Sequence, residues 1–237
     1  MIKIPELSVF FPAYNEGKRV AITVERALKI VPKIADKWEF LVINDGSTDN
    51  TGKIINQLAK NNKKIRAIHH RKNLGYGAAF RSGLYGAKYD WIAFTDSDGQ
   101  FDFGEIVNFI EKQRNTKADI VIGYYKKRQV SKTKIITSKM WEYLVFLLFG
   151  LKVRDIDCGF KFISKKVVDN IPLLESERGA FISSEFLIKA KKKGFKIVEI
   201  PVTHYPRSGG VGTGRDLKVI INSFKDLFKL WLKLKNM

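Results

Sequence analysis

A short acidic stretch carries the residues best suited to chemistry in this chain, Asp96-Ser97-Asp98-Gly99-Gln100. It follows the apolar run 91–94, which is typical of a buried strand. In an extended segment, residues two positions apart point to the same side, so the Asp96 and Asp98 carboxylates can face one cation. Oxygen ligands of this kind suit Mg²⁺ or Mn²⁺, either of which can also hold a diphosphate. The alternative is an Asp-Gly turn with solvated acids.

The composition is that of a globular protein with a large excess of positive charge. Of the 237 residues, 45% are hydrophobic and 28% are charged, and the formal net charge is +19. This charge predicts an anionic partner, which could be a nucleic acid, an anionic lipid surface or a phosphorylated substrate. No zinc-finger, RRM-like or helix-turn-helix pattern supports nucleic acid. The single cysteine, Cys158, and an N-terminus without a signal-peptide pattern predict a cytoplasmic location.

Strand-like and helix-like runs alternate in the first half of the chain. Strands are predicted over 7–13, 40–43, 65–69, 91–95 and 120–122, and helices over 18–30, 51–58, 77–87 and 106–113. Ser47 or Thr48 is the predicted N-cap of the second helix. The alternation predicts an α/β fold with a mostly parallel sheet that is covered by helices on both faces. Ligands of such sheets bind at the carboxyl ends of the strands.

The pattern changes after residue 123. A basic stretch precedes the apolar segment 140–151, which is too short to span a bilayer and predicts a buried or interfacial helix. A loop over 154–161, a helix near 183–192, a strand over 197–202 and a glycine-rich loop over 208–214 follow. Segment 217–234 is predicted to be an amphipathic helix. It could pack on the core, lie on a membrane surface or form an oligomer contact.

Four motifs occur in an order that is similar to that of a known enzyme family. They are Pro12-Ala13-Tyr14-Asn15-Glu16, Asn44-Asp45-Gly46-Ser47, Asn73-Leu74-Gly75-Tyr76-Gly77 and the acidic stretch itself. Together with 157–161 and 204–207, they resemble the family 2 glycosyltransferases of the GT-A fold. Within that family, the resemblance is to the dolichol-phosphate mannose synthase-like and polyprenyl-phosphate glycosyltransferase branch. It implies a Rossmann-like catalytic domain over 1–214 and a C-terminal amphipathic helix over 215–237.

The resemblance implies a site for a nucleotide-sugar donor, either GDP-mannose or a UDP-sugar. The residues implied to line it are Pro12, Tyr14, Glu16, Asp45, Arg81, Asp96 and Asp98. Asp96, Asp98 and Gln100 would hold Mg²⁺ or Mn²⁺. Asp98 would thereby be essential for catalysis, because the cation offsets charge that develops on the leaving diphosphate. Two alternatives stay open, since Asp45 could simply form a turn and Arg81 could be a surface residue.

The implied acceptor is a polyprenyl or dolichyl phosphate, which attacks the anomeric carbon with inversion. The basic residues implied to contact this phosphate or the donor diphosphate are Arg128, Lys161, His204, Arg207 and Arg215. Asp157 and Glu185 are the carboxylates predicted to act as a base or to orient the acceptor. Each could instead be a salt-bridge partner. A phosphate is already ionised at neutral pH, so a strong base is not required.

Two departures from the branch shape the expected function. Relatives often carry C-terminal transmembrane spans, and this chain has no such segment, which predicts a peripheral protein at the cytosolic membrane face. The sequence Gly212-Thr213-Gly214-Arg215 stands where mannose synthases often have Ser-Lys, so UDP-sugar donors stay open. Two other functions are alternatives. One is a GT-A transferase for a glycan or soluble acceptor, and the other is a basic nucleic-acid-binding protein.

Overall fold

Seven strands form one sheet in the part of the chain that the structure describes. This computed structural model covers residues 3–126, 132–176, 179, 181–206 and 217–235, with the backbone alone for 132–134 and 217–221. The strands are β1 (Ile4–Ala13), β2 (Ala35–Asn44), β3 (Ile65–His69), β4 (Trp91–Thr95), β5 (Ile120–Tyr125), β6 (Phe160–Ser164) and β7 (Ile197–Val202). Their order is β3-β2-β1-β4-β6-β5-β7, and only the pairs that involve β6 are antiparallel among these described strands. The predicted α/β fold with a mostly parallel sheet is confirmed.

Helices cover both faces of this sheet. They are α1 (Lys18–Leu28), α2 (Val31–Ile34), α3 (Thr51–Asn61), α4 (Tyr76–Gly86), α5 (Ile106–Thr116), α6 (Lys132–Phe149), α7 (Lys165–Asn170), α8 (Phe181–Lys192) and α9 (Leu217–Lys235). Helices α1, α3 and α5 share one apolar core with the sheet, and α4, α6, α7, α8 and α9 share the other. Alternate residues of β1 serve the two cores, Val9 and Phe11 the first and Phe10 the second.

The sequence prediction missed three elements, α2, β6 and α7, and misplaced several boundaries. Strand β6 begins inside the predicted loop 154–161 and is followed directly by α7. Lys161 pairs with Phe94 on one side and Ile122 on the other, and a lysine within a short apolar run weakens the strand signal. Helix α6 begins at Lys132 instead of residue 140. The predicted N-cap of α3 is also wrong, because this helix begins at Thr51 after Asn50.

One face of α9 packs on the protein core. Leu227, Leu230 and Leu234 are buried and join the same apolar cluster as α8. The Lys233 ammonium lies 2.5 Å from a carboxylate oxygen of Glu175. Core packing, one of the three alternatives for this segment, is therefore observed for that face. No helix within the described residues has both the length and the apolar character to cross a membrane.

Candidate active site

The acid turn, residues 96–100, lies at the carboxyl end of β4, and hydrogen bonds of the buried Ser97 hold it in place. Ser97 is 2% exposed, and its hydroxyl donates to the Pro12 carbonyl oxygen at 2.6 Å. Its own carbonyl oxygen accepts a hydrogen bond from the Thr23 hydroxyl at 3.2 Å. These two bonds fix the turn against β1 and α1. The neighbouring Asp96 and Asp98 are left partly exposed at the edge of the sheet.

The Asp96 carboxylate lies in a tightly packed and charged position. The Tyr76 hydroxyl donates to its Oδ1 at 3.1 Å, and a Cβ atom added at Gly159 would lie only 2.0 Å from its Oδ2. Burial, together with the nearby charge of Asp98, raises the pKa of Asp96 to about 7, and the charge of Lys161 partly opposes this rise. The two carboxylates are thus close enough to repel each other. A cation between them would relieve this repulsion.

Lys161 lies beneath the acid turn and is fully buried. Its ammonium donates to the Cys158 carbonyl oxygen at 2.5 Å and lies 5.6 Å from the centre of the Phe94 ring. Burial lowers the pKa of Lys161, while neighbouring negative charges, including Asp157 and Asp96, raise it. The predicted contact with an acceptor phosphate conflicts with this burial. The structure favours Lys161 as an internal counter-charge for the acids.

The residues after β1 are bound to the loop after β2. Asn15 adopts a left-handed backbone conformation, with φ of 54°, and its side-chain oxygen accepts a hydrogen bond from the Thr48 N–H at 2.8 Å. Its neighbours differ in exposure, since Tyr14 is 39% exposed and Glu16 is 8% exposed. Glu16 also accepts a hydrogen bond from Arg19 Nε at 2.9 Å. Of these two predicted donor residues, Tyr14 therefore offers the more accessible side chain.

Asp45 holds the segment that leads into α4. Its two oxygens accept hydrogen bonds from the N–H groups of Leu74 and Gly75, both at 2.9 Å, and lie 2.6 Å from His70 Nδ1 and 3.1 Å from Asn73 Nδ2. These four partners match the acceptor capacity of a carboxylate. A direct contact with a nucleotide, as predicted, would have to replace one of them. In this structure Asp45 positions the start of α4, and with it the Tyr76 hydroxyl that contacts Asp96.

Arg81 and Glu185 both bind segment 174–176. Arg81 donates to the carbonyl oxygens of residues 174 and 175, at 3.0 and 3.4 Å. Glu185 is 2% exposed, and each of its oxygens accepts two hydrogen bonds from the protein. One of these bonds comes from the equally buried Lys189 at 2.6 Å. The prediction of Glu185 as a base conflicts with this geometry, and its salt-bridge alternative is observed.

The segment after β7 returns to the acid turn. The Tyr205 N–H donates to the Gln100 carbonyl oxygen at 2.8 Å, and the Gln100 side chain donates to the Tyr205 carbonyl oxygen at 3.0 Å. The preceding residue, His204, forms a β-bridge with Phe101, and the His204 ring centre lies 4.4 Å from that of Tyr125. The structure thus brings His204 to the same edge as Asp98 and Gln100.

Of the remaining predicted residues, Asp157 lies close to this edge in sequence and the others lie outside the described part. Asp157 is exposed, two residues before Gly159, whose carbonyl oxygen accepts a hydrogen bond from the Asp96 N–H at 3.3 Å. Arg128, Arg207, Arg215 and the glycine-rich loop lie outside the described residues. Sequence reasoning assigned no role to the Tyr76 hydroxyl or to Ser97. Both lie inside recognised motifs, which was the available signal.

Comparisons with known proteins identify the family and the fold of this chain. The sequence model of the family described as Glycosyl transferase family 2 matches residues 8–171. Glycosyltransferase AglD of Haloferax volcanii is 29% identical over 97% of this chain, which spans only 37% of the length of AglD. Two further relatives are a dodecaprenyl-phosphate galacturonate synthase of Rhizobium johnstonii and a dolichyl-phosphate beta-glucosyltransferase of Saccharomyces cerevisiae. The first is 27% identical, and the match covers 97% of this chain and 69% of that relative. The second is 29% identical, and the match covers 86% of this chain and 68% of that relative.

Solved structures show the same architecture. Glucosyl-3-phosphoglycerate synthase from Mycobacterium tuberculosis, solved with Mn²⁺, uridine diphosphate and phosphoglyceric acid, has a TM-score of 0.65 at 19% identity. The match covers 97% of this chain and 78% of that one. At this identity the likeness shows the fold alone, and it confirms the predicted GT-A fold. The family match includes Asp45, the acid turn and Gly159. This chain therefore belongs to glycosyl transferase family 2.

Proposed function

We propose that this protein is a metal-dependent, inverting glycosyltransferase that moves a sugar from a nucleotide sugar to a polyprenyl or dolichyl phosphate. Its place would be the cytosolic face of a membrane. One observation carries the proposal, namely that Asp96 and Asp98 lie at the carboxyl end of β4, where Ser97 fixes the turn and Gly159 packs against Asp96. The acceptor class is supported by two relatives whose names specify dodecaprenyl phosphate and dolichyl phosphate. The donor is GDP-mannose or a UDP-sugar.

The acid turn fits Mg²⁺ or Mn²⁺ as the resident cation. Asp96, Asp98 and Gln100 supply carboxylate and amide oxygens, which hard divalent cations prefer. Within the described residues, no group of three or more His, Cys, Asp or Glu side chains could hold a metal by itself. Such cations are often held by one or two carboxylates plus substrate phosphates. When bound, the cation would offset negative charge on the leaving nucleoside diphosphate.

The protein side chains around this turn would bind and orient the two substrates. Pro12, near the end of β1, and Tyr14, just after that strand, are proposed to contact the nucleotide. Asp157 and His204 are proposed to contact or orient the acceptor. Arg128, Arg207 and Arg215 are proposed to contact phosphate groups. Because the acceptor phosphate is already ionised at neutral pH, positioning matters more here than proton removal.

The central test is the replacement Asp98→Ala. We expect it to lower kcat/KM for sugar transfer to a polyprenyl phosphate at least about a thousandfold, because metal-assisted charge stabilisation contributes several kcal/mol. Asp102→Ala is the matched control, since it removes the same charge from an exposed position four residues away and should retain activity within about threefold. Circular dichroism should show both variants folded.

The outcomes separate the alternatives. Full activity of a folded Asp98→Ala variant would refute the metal assignment. Transfer to soluble sugars, with none to lipid phosphate, would refute the acceptor class. Failure of every GDP- and UDP-sugar to stabilise the protein, with tight and salt-sensitive nucleic-acid binding, would replace the transferase by the nucleic-acid alternative.

A further inference from the structure

Helix α6 presents a stripe of large apolar side chains to solvent. Its members are exposed by 59–66% and follow a four-three-four spacing, which places them on one helix face: Ile136, Met140, Tyr143 and Leu147. The orientation of the helix is set by the opposite side. There Val145 is fully buried, and the Trp141 indole donates to the Ser184 hydroxyl of α8 at 3.0 Å. A face with the apolar pattern of a core is therefore held outward.

Helix α9 carries a second exposed apolar stripe. Phe224, Phe228 and Leu232 are 46%, 57% and 48% exposed and follow one another at four-residue spacing. The next positions along the helix, 225, 229 and 233, are all lysines and are all exposed. The rings of Phe224 and Trp141 lie 5.2 Å apart, which joins α9 to α6. We call the two stripes the α6–α9 surface.

The positive charge around these stripes favours an anionic partner. Helix α9 contains five lysines and one aspartate, and α6 contains three lysines and one glutamate. Both helices are therefore positive, as is the whole chain at +19. A second copy of the chain would bring these like charges together, whereas an anionic bilayer would attract them. Apolar side chains beside lysines are the pattern of helices that lie in the membrane interface.

We propose that the α6–α9 surface lies on an anionic lipid bilayer, with its apolar stripes at the boundary between headgroups and acyl chains. The proposal deepens the proposed function, because a membrane-embedded acceptor needs the site to face the bilayer. Helix α6 follows β5, and the segment after it returns to Gly159 beside Asp96. The Lys139 ammonium donates to the Arg154 carbonyl oxygen at 2.9 Å, which ties α6 to this returning segment.

Flotation of the full chain with vesicles tests the surface directly. Vesicles of phosphatidylglycerol and phosphatidylcholine are compared with pure phosphatidylcholine, without donor or polyprenyl phosphate. Met140→Glu and Leu147→Glu should each lower the partition coefficient on anionic vesicles about tenfold or more, since each puts a negative charge at the interface. The matched control is Ile22→Glu, at a residue 47% exposed on α1, which should change binding less than about twofold.

The result that overturns the proposal is equal vesicle binding by wild type, Met140→Glu and Leu147→Glu. A stable dimer that Met140→Glu converts to monomer, with vesicle binding unchanged, would also overturn it in favour of a contact between copies. Sugar transfer to a short polyprenyl phosphate dispersed in detergent is measured separately. If the wild type transfers no sugar in this assay but its vesicle binding still depends on the stripes, the proposed function is refuted and the membrane surface is supported.

Discussion

The replacement Gly159→Ala tests whether the position of the Asp96 carboxylate controls the rate of sugar transfer. In Gly159→Ala, the added Cβ would lie 2.0 Å from Asp96 Oδ2 and 2.7 Å from its Cγ, whereas real contacts of a Cβ are essentially never below 3.0 Å. The carboxylate must therefore move by about 1 Å or more relative to residue 159. A misplacement of about 1 Å costs about a hundredfold in rate, or about 2.7 kcal/mol of transition-state stabilisation.

Initial rates of sugar transfer at saturating cation measure this effect, with thermal melting as the check on folding. Gly104→Ala is the matched control, because the nearest atom to its added Cβ is the Asp102 Oδ1 at 3.0 Å and not an acid of the turn. It should keep kcat/KM within about threefold of wild type. A folded Gly159→Ala variant with rates in that same range would refute the argument that this carboxylate must stay in place.

Two further predictions concern buried charge. The pKa of Asp96 is raised from 3.8 to about 7, so between these values the native state keeps a proton that the unfolded chain has released. With a chelator present, the free energy of unfolding of the wild type should therefore fall, relative to Asp96→Asn, by about 1.4 kcal/mol per pH unit and about 4 kcal/mol in total as the pH rises to about 7. Urea titrations across this range measure it, and parallel profiles for the two proteins would contradict it. Lys189→Met should lower the free energy of unfolding by about 3–5 kcal/mol, because it leaves the buried Glu185 carboxylate without its cationic partner. In the same urea titration Lys165→Met, whose partner Asp169 is exposed, should cost under about 1 kcal/mol, and equal losses would count against the burial argument.

The parallel part of the sheet was predictable because its strands contain apolar runs that are separated by helices. Strands over 65–69, 91–95 and 197–202 were predicted with the boundaries observed. Strand β6 was not predicted, because Lys161 is surrounded by structure that only the tertiary fold supplies. Its carbonyl partner at Cys158 and the acids around it make the buried lysine tolerable. No local pattern of the sequence reports those contacts.

Among the carboxylates, too, some roles could be predicted from the sequence and others could not. The two-residue spacing of Asp96 and Asp98 was enough to predict a pair at one strand end, because backbone geometry alone produces it. The role of Glu185 could not be read in the same way, since whether a helical acid is exposed depends on what packs against the helix. Lys189 four residues later was the local sign of an ion pair. Its burial, which distinguishes a structural pair from a surface one, is a property of the whole fold.

The antiparallel direction of β6 has a consequence for how specificity can change. Strand β5 leaves the sheet at the edge that carries the acid turn, and β6 enters the sheet at that same edge. The intervening chain, which includes α6, is thus an excursion whose length the strand register does not constrain. A chimera that exchanges this excursion only as far as residue 156 would keep the ends of β1, β2 and β4, and the contact of Gly159 with Asp96, unaltered. If the proposed transferase activity holds, such an exchange would change residues assigned to the acceptor without moving the strand ends assigned to the sugar donor.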